Sequence, residues 1–202
     1  IIMSHATTTL PPLGKVPAGR VALWVVIAGE LAIFGGLIVI YLLYRLRFPQ
    51  WGIQAQLTST PLGALNTMIL LTSSFTVVLA HAAAQRNEAK KASNLLWVTI
   101  LLGCGFLVVK SIEYASKLSH GITFSSPNID KMQSLYWSFY FALTGLHALH
   151  VIGGMVALAI VSIQIRKGNH LPRVEFAGLY WHMVDVIWIF LFPLLYLVDR
   201  SR

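Results

Sequence analysis

The sequence predicts an all-α, polytopic membrane protein, a single bundle of five transmembrane helices. Two observations carry that prediction. Only 11% of the 202 residues are charged and 56% are hydrophobic, whereas an ordinary soluble domain is about 25% charged. The apolar residues are also gathered into five runs, each long enough to cross a hydrocarbon core of about 30 Å as a helix. A mean hydropathy of +0.71 agrees. This composition excludes disorder and collagen. The one cysteine, Cys104, excludes a disulfide framework or a paired-thiolate metal site. The net charge of +8 comes from Lys and Arg scattered in small groups between the runs. That pattern is a topology signal, so no nucleic-acid partner is expected.

Residues 1–20 read as a polar, Thr- and Pro-containing arm, and 21–202 as the membrane domain, with helices at about 21–46, 62–86, 94–117, 134–165 and 174–199. The first run is too long for a signal-peptide core and lacks a small-residue cleavage site after it, so it is expected to stay as a helix. The second is uncharged but carries Asn66, Thr67, Thr72, Ser73, Ser74, Thr76 and His81, so one face must meet protein rather than lipid. The third ends near Lys110 and Glu113. The fourth has no formal charge from Ser134 to Gln164 and should exceed the bilayer core, tilting or projecting into water. In the fifth, Pro193 is expected to kink the last turns. Trp24, Tyr41, Tyr44, Trp51, Trp97, Tyr136, Trp137 and Tyr180 fall where interfacial aromatic belts are expected. Eight Lys and Arg flank the spans on the N-terminal side and six on the other. That bias favours a cytoplasmic N-terminus and a periplasmic C-terminus.

Ionisable groups at membrane depth cost about 2.5 to 3.5 kcal/mol on insertion scales, so they face protein or a water-filled cavity. Glu30 lies near the midplane of its span. On the same helix Ala28, Ala32 and Gly36 form a stripe of small residues suited to close packing, and Glu30 points away from it. Both faces of the first helix are therefore expected to be engaged by protein. A protonated carboxyl at a helix contact is the plain reading of Glu30, and a proton relay is the sharper one. His147 and His150 share a helix face, as do His182 and Asp185. Four such groups could form a haem or metal site. The plainer reading is a polar cluster in which a neutral His donates to Asp185 or to backbone carbonyls and locks two helices. The sequence offers no further His pair at bis-haem spacing and no thiolate pair, and Gly145, Gly153 and Gly154 signal close packing. The polar cluster is therefore the expectation, with His182 and Asp185 acting as a unit. Lys110 and Glu113 are expected to pair at the outer interface with the Lys stem snorkelling. His81 reads as an interface residue.

The stretch Tyr180-Trp181-His182-Met183-Val184-Asp185-Val186-Ile187-Trp188 resembles the last-helix signature of subunit III of haem-copper terminal oxidases. Glu175 and His170 upstream fit the same pattern. Four further segments agree in order: Glu30 in a Gly- and Phe-rich first span; Leu65-Asn66-Thr67 through Ser73-Ser74 to Ala80-His81; Glu113-Tyr114; and Thr144 through His147 and His150 to Val151. The resemblance covers roughly residues 20–200. Longer members of that family have seven helices, and this chain resembles the short five-helix bacterial form. Lys110 and Pro193 depart from the family pattern.

The resemblance implies a non-catalytic subunit with no haem or copper of its own, in an enzyme whose partner subunits hold both. Those partners would be subunits I and II, with a small subunit IV possible, in a bacterial inner membrane, and cytochrome c or quinol would donate electrons through other subunits. It implies buried polar roles, structural or proton-related, for Glu30, His81, Glu113, His147, His150, Glu175, His182 and Asp185. It also implies bound phospholipid, with Arg86, Arg173, His170 and Trp181 as contacts. Cytochrome c oxidase is the leading reading. A quinol oxidase or a nitric-oxide-reductase-associated protein is the near alternative. A small proton-coupled transporter, which calls for discontinuous helices or internal repeats, and a membrane cytochrome are alternatives of other classes.

Overall fold

The computed structural model describes residues 18–48, 51–122, 130–167 and 173–197. His170 and the predicted arm before residue 18 lie outside them. Six helices follow one another: α1 (Ala18–Arg47), α2 (Trp51–Gln56), α3 (Thr60–Gln85), α4 (Ala89–Ser119), α5 (Lys131–Arg166) and α6 (Arg173–Tyr196). All but α2 are long and apolar enough to cross a membrane, and there is no strand among the described residues. α2 was not foreseen, because a helix of six residues offers too few turns to show a period.

Helices α3 to α6 form a ring in which each packs against its sequence neighbour and α6 closes back on α3. The ring follows from the spacing of inward residues. On α3 the buried positions Gly63, Asn66, Leu70, Ser73, Val77 and Ala80 recur in steps of three and four, as do Leu96, Thr99, Gly103, Phe106, Lys110 and Glu113 on α4. That repeat is the seam of a left-handed bundle. Within lipid, apolar contact alone gives little drive for helices to associate, so hydroxyl bonds and small residues must hold them. The hydroxyls of α3 do this toward α6. Trp188 Nε1 donates to Thr67 at 3.1 Å, Trp181 Nε1 donates to Ser73 at 3.0 Å, and Ser74 Oγ meets His182 Nδ1 at 2.6 Å. Thr76 and Thr99 join α3 to α4 at 2.7 Å, and buried Ser93 and Ser162 join α4 to α5 at 2.7 Å.

Two of the connections end their helices in the same way. After α3, Asn87 takes φ 59°, Glu88 N donates to Ala83 O and Asn87 N donates to Ala84 O. After α4, Gly121 takes φ 74° with the matching bonds from Ile122 N to Lys117 O and Gly121 N to Leu118 O. Both are Schellman closures, which need a left-handed residue and so select Asn or Gly.

α1 lies outside the ring against α5 and α6. It runs parallel to α6, since Arg20 meets Glu175 at one end while Tyr41 and Arg45 meet Leu194 O at the other. Ile27, Phe34, Leu37 and Tyr41 face the bundle, whereas Ala28, Ala32 and Gly36 are exposed. The expectation that protein covers both faces is therefore corrected within this chain: only the Glu30 side packs.

The aromatic belt is also corrected. Trp24 and Trp97 are exposed, but Tyr41, Trp51, Tyr136 and Trp137 are fully buried. α2 folds Trp51 inward, where its Nε1 donates to Met132 O at 3.1 Å, and Gln54 accepts from Trp137 Nε1 at 3.1 Å. Interfacial aromatics thus become the plug of one bundle end. α6 continues through Pro193 to Tyr196.

Trp181 fixes the spacing of the ring. A Cβ on Gly154 would lie 2.8 Å from Trp181 Cε3, whereas one on Gly145 would meet only Tyr114 Oη at 3.8 Å. Gly154→Ala should therefore destabilise the assembled protein by about 1 to 3 kcal/mol through overpacking. Gly145→Ala should be neutral or slightly stabilising, because Ala favours a helix over Gly by up to about 1 kcal/mol. Thermal unfolding of the detergent-solubilised protein checks this, and the reverse order would refute the packing role given to Trp181.

Candidate functional site

The ionisable residues fall into three groups along the bundle. The first joins α1 to α5. Glu30 Oε2 stands 2.8 Å from His150 Nε2, with both side chains less than a fifth exposed. His150 Nδ1 lies 2.8 Å from Leu146 O. A carbonyl can only accept, so Nδ1 carries a hydrogen. A hydrogen bond between Nε2 and Glu30 then requires one proton between them. Either the acid O–H faces a bare Nε2, or an imidazolium N–H faces the carboxylate. Phe34 covers the imidazole edge-on at 5.3 Å between ring centres. The oxygen is enclosed, yet its alignment falls short of a good hydrogen bond, so a modest turn of the carboxyl would complete the pair.

The second group is built on α4. Lys110 donates to Glu113 Oε2 at 3.0 Å, to Tyr140 Oη at 3.2 Å and to Tyr196 Oη at 2.8 Å, which uses all three ammonium protons. Tyr196 Oη in turn donates to the same Glu113 oxygen at 2.8 Å. The rings of Tyr114, Tyr140, Trp188 and Tyr196 surround the ammonium at 5.0 to 5.5 Å from their centres. The Lys110 and Glu113 side chains are only 5% and 1% exposed. The expected pairing is present, but the expected location is corrected: Lys110 turns inward and does not snorkel. Tyr140 and Tyr196 supply partners that an interfacial position does not, which is what makes burial of the charge tolerable.

The third group lines α6. Here the expected His182–Asp185 unit is corrected. His182 pairs with Ser74 of α3, and no bond joins it to Asp185. The two Asp185 oxygens are buried without a partner at hydrogen-bond geometry. His147 is buried completely between Phe106 and Trp188, at 5.4 and 5.1 Å between ring centres, with both ring nitrogens unpaired. Asn66, absent from the expected set, is buried and unpaired as well. His150, His147 and His182 are thus held in three separate settings. Among the described residues, no three His, Cys, Asp or Glu side chains converge where a metal could bind.

At the N-terminal end, His81, Glu175 and His182 line one groove of about 130 Å³ between α3 and α6, together with Val77 and Gly178. His81 bonds Gln85 at 2.9 Å and Glu175 bonds Arg20 at 3.4 Å. Of the expected lipid contacts, Arg86 is exposed and Arg173 donates to Gln164 at 2.7 Å. Trp181 is corrected: it is wholly buried in the ring, because the glycines opposite leave it room there.

The Lys110 cluster predicts a strongly non-additive stability cycle. Glu113→Leu alone leaves a buried ammonium without its counter-charge and should cost about 3 to 5 kcal/mol. Lys110→Met combined with Glu113→Leu should recover most of that loss, because the double variant buries no charge at all. Thermal unfolding of the four proteins in one detergent measures the coupling. Additive losses would mean that the two side chains are not mutually dependent.

The sequence profile described as Cytochrome c oxidase subunit III matches residues 31–199 of this chain. A cytochrome c oxidase subunit 3 of Corynebacterium diphtheriae is 34% identical over 182 residues, covering 87% of this chain and 85% of the relative. That of Thermostichus vulcanus is 32% identical over 183 residues, covering 88% and 86%. A probable quinol oxidase subunit 3 of Staphylococcus aureus is 30% identical over 202 residues, covering 97% of each chain. With five membrane-length helices, a profile match over residues 31–199 and relatives at this identity, the chain belongs to the cytochrome c oxidase subunit III family.

Proposed function

We propose that this chain is the non-catalytic subunit III of a respiratory cytochrome c oxidase. It packs beside the subunits that hold haem and copper, stabilises them and supports proton uptake while oxygen is reduced to water. Family membership gives the coarser statement, a subunit of a terminal oxidase complex. The observation that carries the finer reading is the state of the buried ionisable groups. Glu30 is committed to His150, Lys110 to Glu113, and His182 to Ser74. These contacts, between or within helices, support a bundle-holding role for those three pairs. The exposed Ala28, Ala32 and Gly36 stripe of α1 gives a neighbouring subunit a close-packing face. The Lys and Arg bias between the spans supports a cytoplasmic N-terminus and a periplasmic C-terminus in a bacterial inner membrane.

Cytochrome c is proposed as the donor on the relatives of 34% and 32% identity that carry that name. Quinol is the second reading, favoured by the Staphylococcus relative that matches over 97% of both chains. Affinity capture of the tagged subunit in mild detergent, followed by haem spectroscopy and oxygen consumption with reduced cytochrome c or quinol, separates the two. Co-purification of no haem-bearing subunit would reject both.

Glu30→Gln should leave the initial rate of oxygen consumption and the proton stoichiometry near wild type, since the amide keeps the shape and can donate to His150 Nε2. Removing the whole subunit should shorten the number of turnovers completed before inactivation. Immediate loss of proton pumping in Glu30→Gln would instead place the proton between Glu30 and His150 on the transport path.

A further inference from the structure

We propose that a file of Tyr and Trp side chains, running from Tyr196 on α6 to Tyr44 on α1, carries single oxidising equivalents from the bundle to the membrane surface. Between ring centres Tyr196 lies 6.1 Å from Tyr140, Tyr140 5.4 Å from Trp137 and Trp137 5.2 Å from Tyr136. Tyr136 then lies 5.7 Å from Trp51, and Trp51 is stacked on Tyr44 at 5.8 Å. Each step is within the range of a direct aromatic contact, so an electron meets no aliphatic gap along the file. Packing alone is served by any large ring, and Phe139, Phe141 and Phe192 pack against the file from its sides. The rings in line are all of the two aromatic types that give up an electron most readily. The inner ones are at most 3% exposed, whereas Tyr44 is 38% exposed. Tyr44 also lines a cavity of about 400 Å³ with Arg47, whose charged head marks the level of water.

The hydrogen bonds set where an oxidising equivalent rests. A tyrosine loses its electron easily only when a base takes its proton. Tyr196 Oη donates to Glu113 Oε2 at 2.8 Å. Tyr136 donates to Leu195 O, Trp51 to Met132 O and Trp137 to Gln54 Oε1, amide oxygens too weakly basic to take a proton. Tyr196 is therefore the inner resting point, and the other buried rings relay. A peroxide-derived radical takes one electron from Tyr196 and is reduced to its anion. The phenolic O–H bond breaks and its proton passes to Glu113, leaving a neutral phenoxyl radical and a neutral carboxyl. One electron then moves inward from Tyr44 along the file, the proton returns from Glu113 to Tyr196, and Tyr44 releases its own proton to water. A water-soluble one-electron reductant restores Tyr44, which regains a proton from water. Lys110 keeps its bonds to Tyr140 and Tyr196 throughout. The choice of peroxide-derived radicals as oxidant rests on the proposed place of this chain beside oxygen-reducing subunits, whereas the conduit itself does not.

The test uses the whole chain purified in detergent, a water-soluble ruthenium tris(bipyridine) complex as photo-oxidant and a cobalt(III) ammine as quencher. Radicals are trapped by freezing after a light flash and read by electron paramagnetic resonance. The expected result is a tyrosyl signal whose β-methylene couplings disappear in Tyr196→Phe. Trp51→Phe keeps a ring in place but interrupts the file, so most of the Tyr196 signal should be lost, and ascorbate should remove the remainder more slowly than in wild type. Phe139→Leu, beside the file and outside it, should leave both readings unchanged. Thermal unfolding reports whether Trp51→Phe is folded, and if it is not, Trp137→Phe interrupts the file in its place. Absence of a signal from Tyr196, an unchanged yield and ascorbate rate with the file interrupted, or an equal loss in Phe139→Leu overturns the proposal. Because light generates the oxidant, the result is obtained whether or not the chain assembles with an oxidase.

Discussion

A helix that ends inside a membrane protein leaves its last four carbonyls without intrahelical donors, and lipid supplies none. At the end of α6 each of them is answered, mostly from elsewhere in the chain. Pro193 O receives Leu197 N, and Leu194 O receives Tyr41 and Arg45 of α1. Leu195 O receives Tyr136 of α5, and Tyr196 O receives Thr60 of α3. Three separate helices are thereby drawn to one point. The same turn carries Tyr196, whose hydroxyl ties Lys110 and Glu113 of α4 into it. Much of the bundle's register is set by this single constraint, since each donor reaches its carbonyl only when its own helix sits at the right height.

The outlying α1 shows the opposite condition. It is held at three levels: Arg20 with Glu175, Glu30 with His150, and Tyr41 with Arg45 on Leu194 O. The first is an exposed pair of little weight. The last belongs to the well-tied end. Between them the Glu30–His150 contact is the polar attachment at mid-span, with Phe34 packed on the imidazole. The Glu30–His150 contact therefore joins α1 to the ring where neither end of the helix does. Because α1 lies outside the ring, changes along it leave the contacts among α3 to α6 in place.

The five long helices were legible because length and lack of charge are properties of the chain alone, and the family resemblance rested on ordered segments such as that from Tyr180 to Trp188. Pairing partners were far less legible. His182 and Asp185 share a face, which predicts contact within α6, but the Ser74 hydroxyl on a different helix stands nearer to the imidazole, and helix spacing carries no information about a neighbour's register. Lys110 was misplaced for a related reason. A lysine near a helix end snorkels unless aromatic hydroxyls await it inside, and Tyr140 and Tyr196 reach it from two other helices, which spacing along α4 does not reveal. The resemblance assigns Trp181 to lipid, whereas Gly103 and Gly154 make room for it inside the ring. α2 had no periodic signal, so the inward turn of Trp51 had none either.

Between the tied end and the N-terminal end lie the groups that remain unsatisfied. Asn66 on α3, His147 on α5 and Asp185 on α6 are buried without partners, each on a different member of the ring. A bundle shaped for stability alone would carry apolar residues there, because an unpaired polar group in a core costs about 1 to 3 kcal/mol. Bonded positions stand beside them on the same helices: Thr67 and Ser73 on α3 accept from the indoles of Trp188 and Trp181 on α6. The bonds that join the ring therefore leave these three side chains unserved, so their presence answers to something other than the stability of this chain alone.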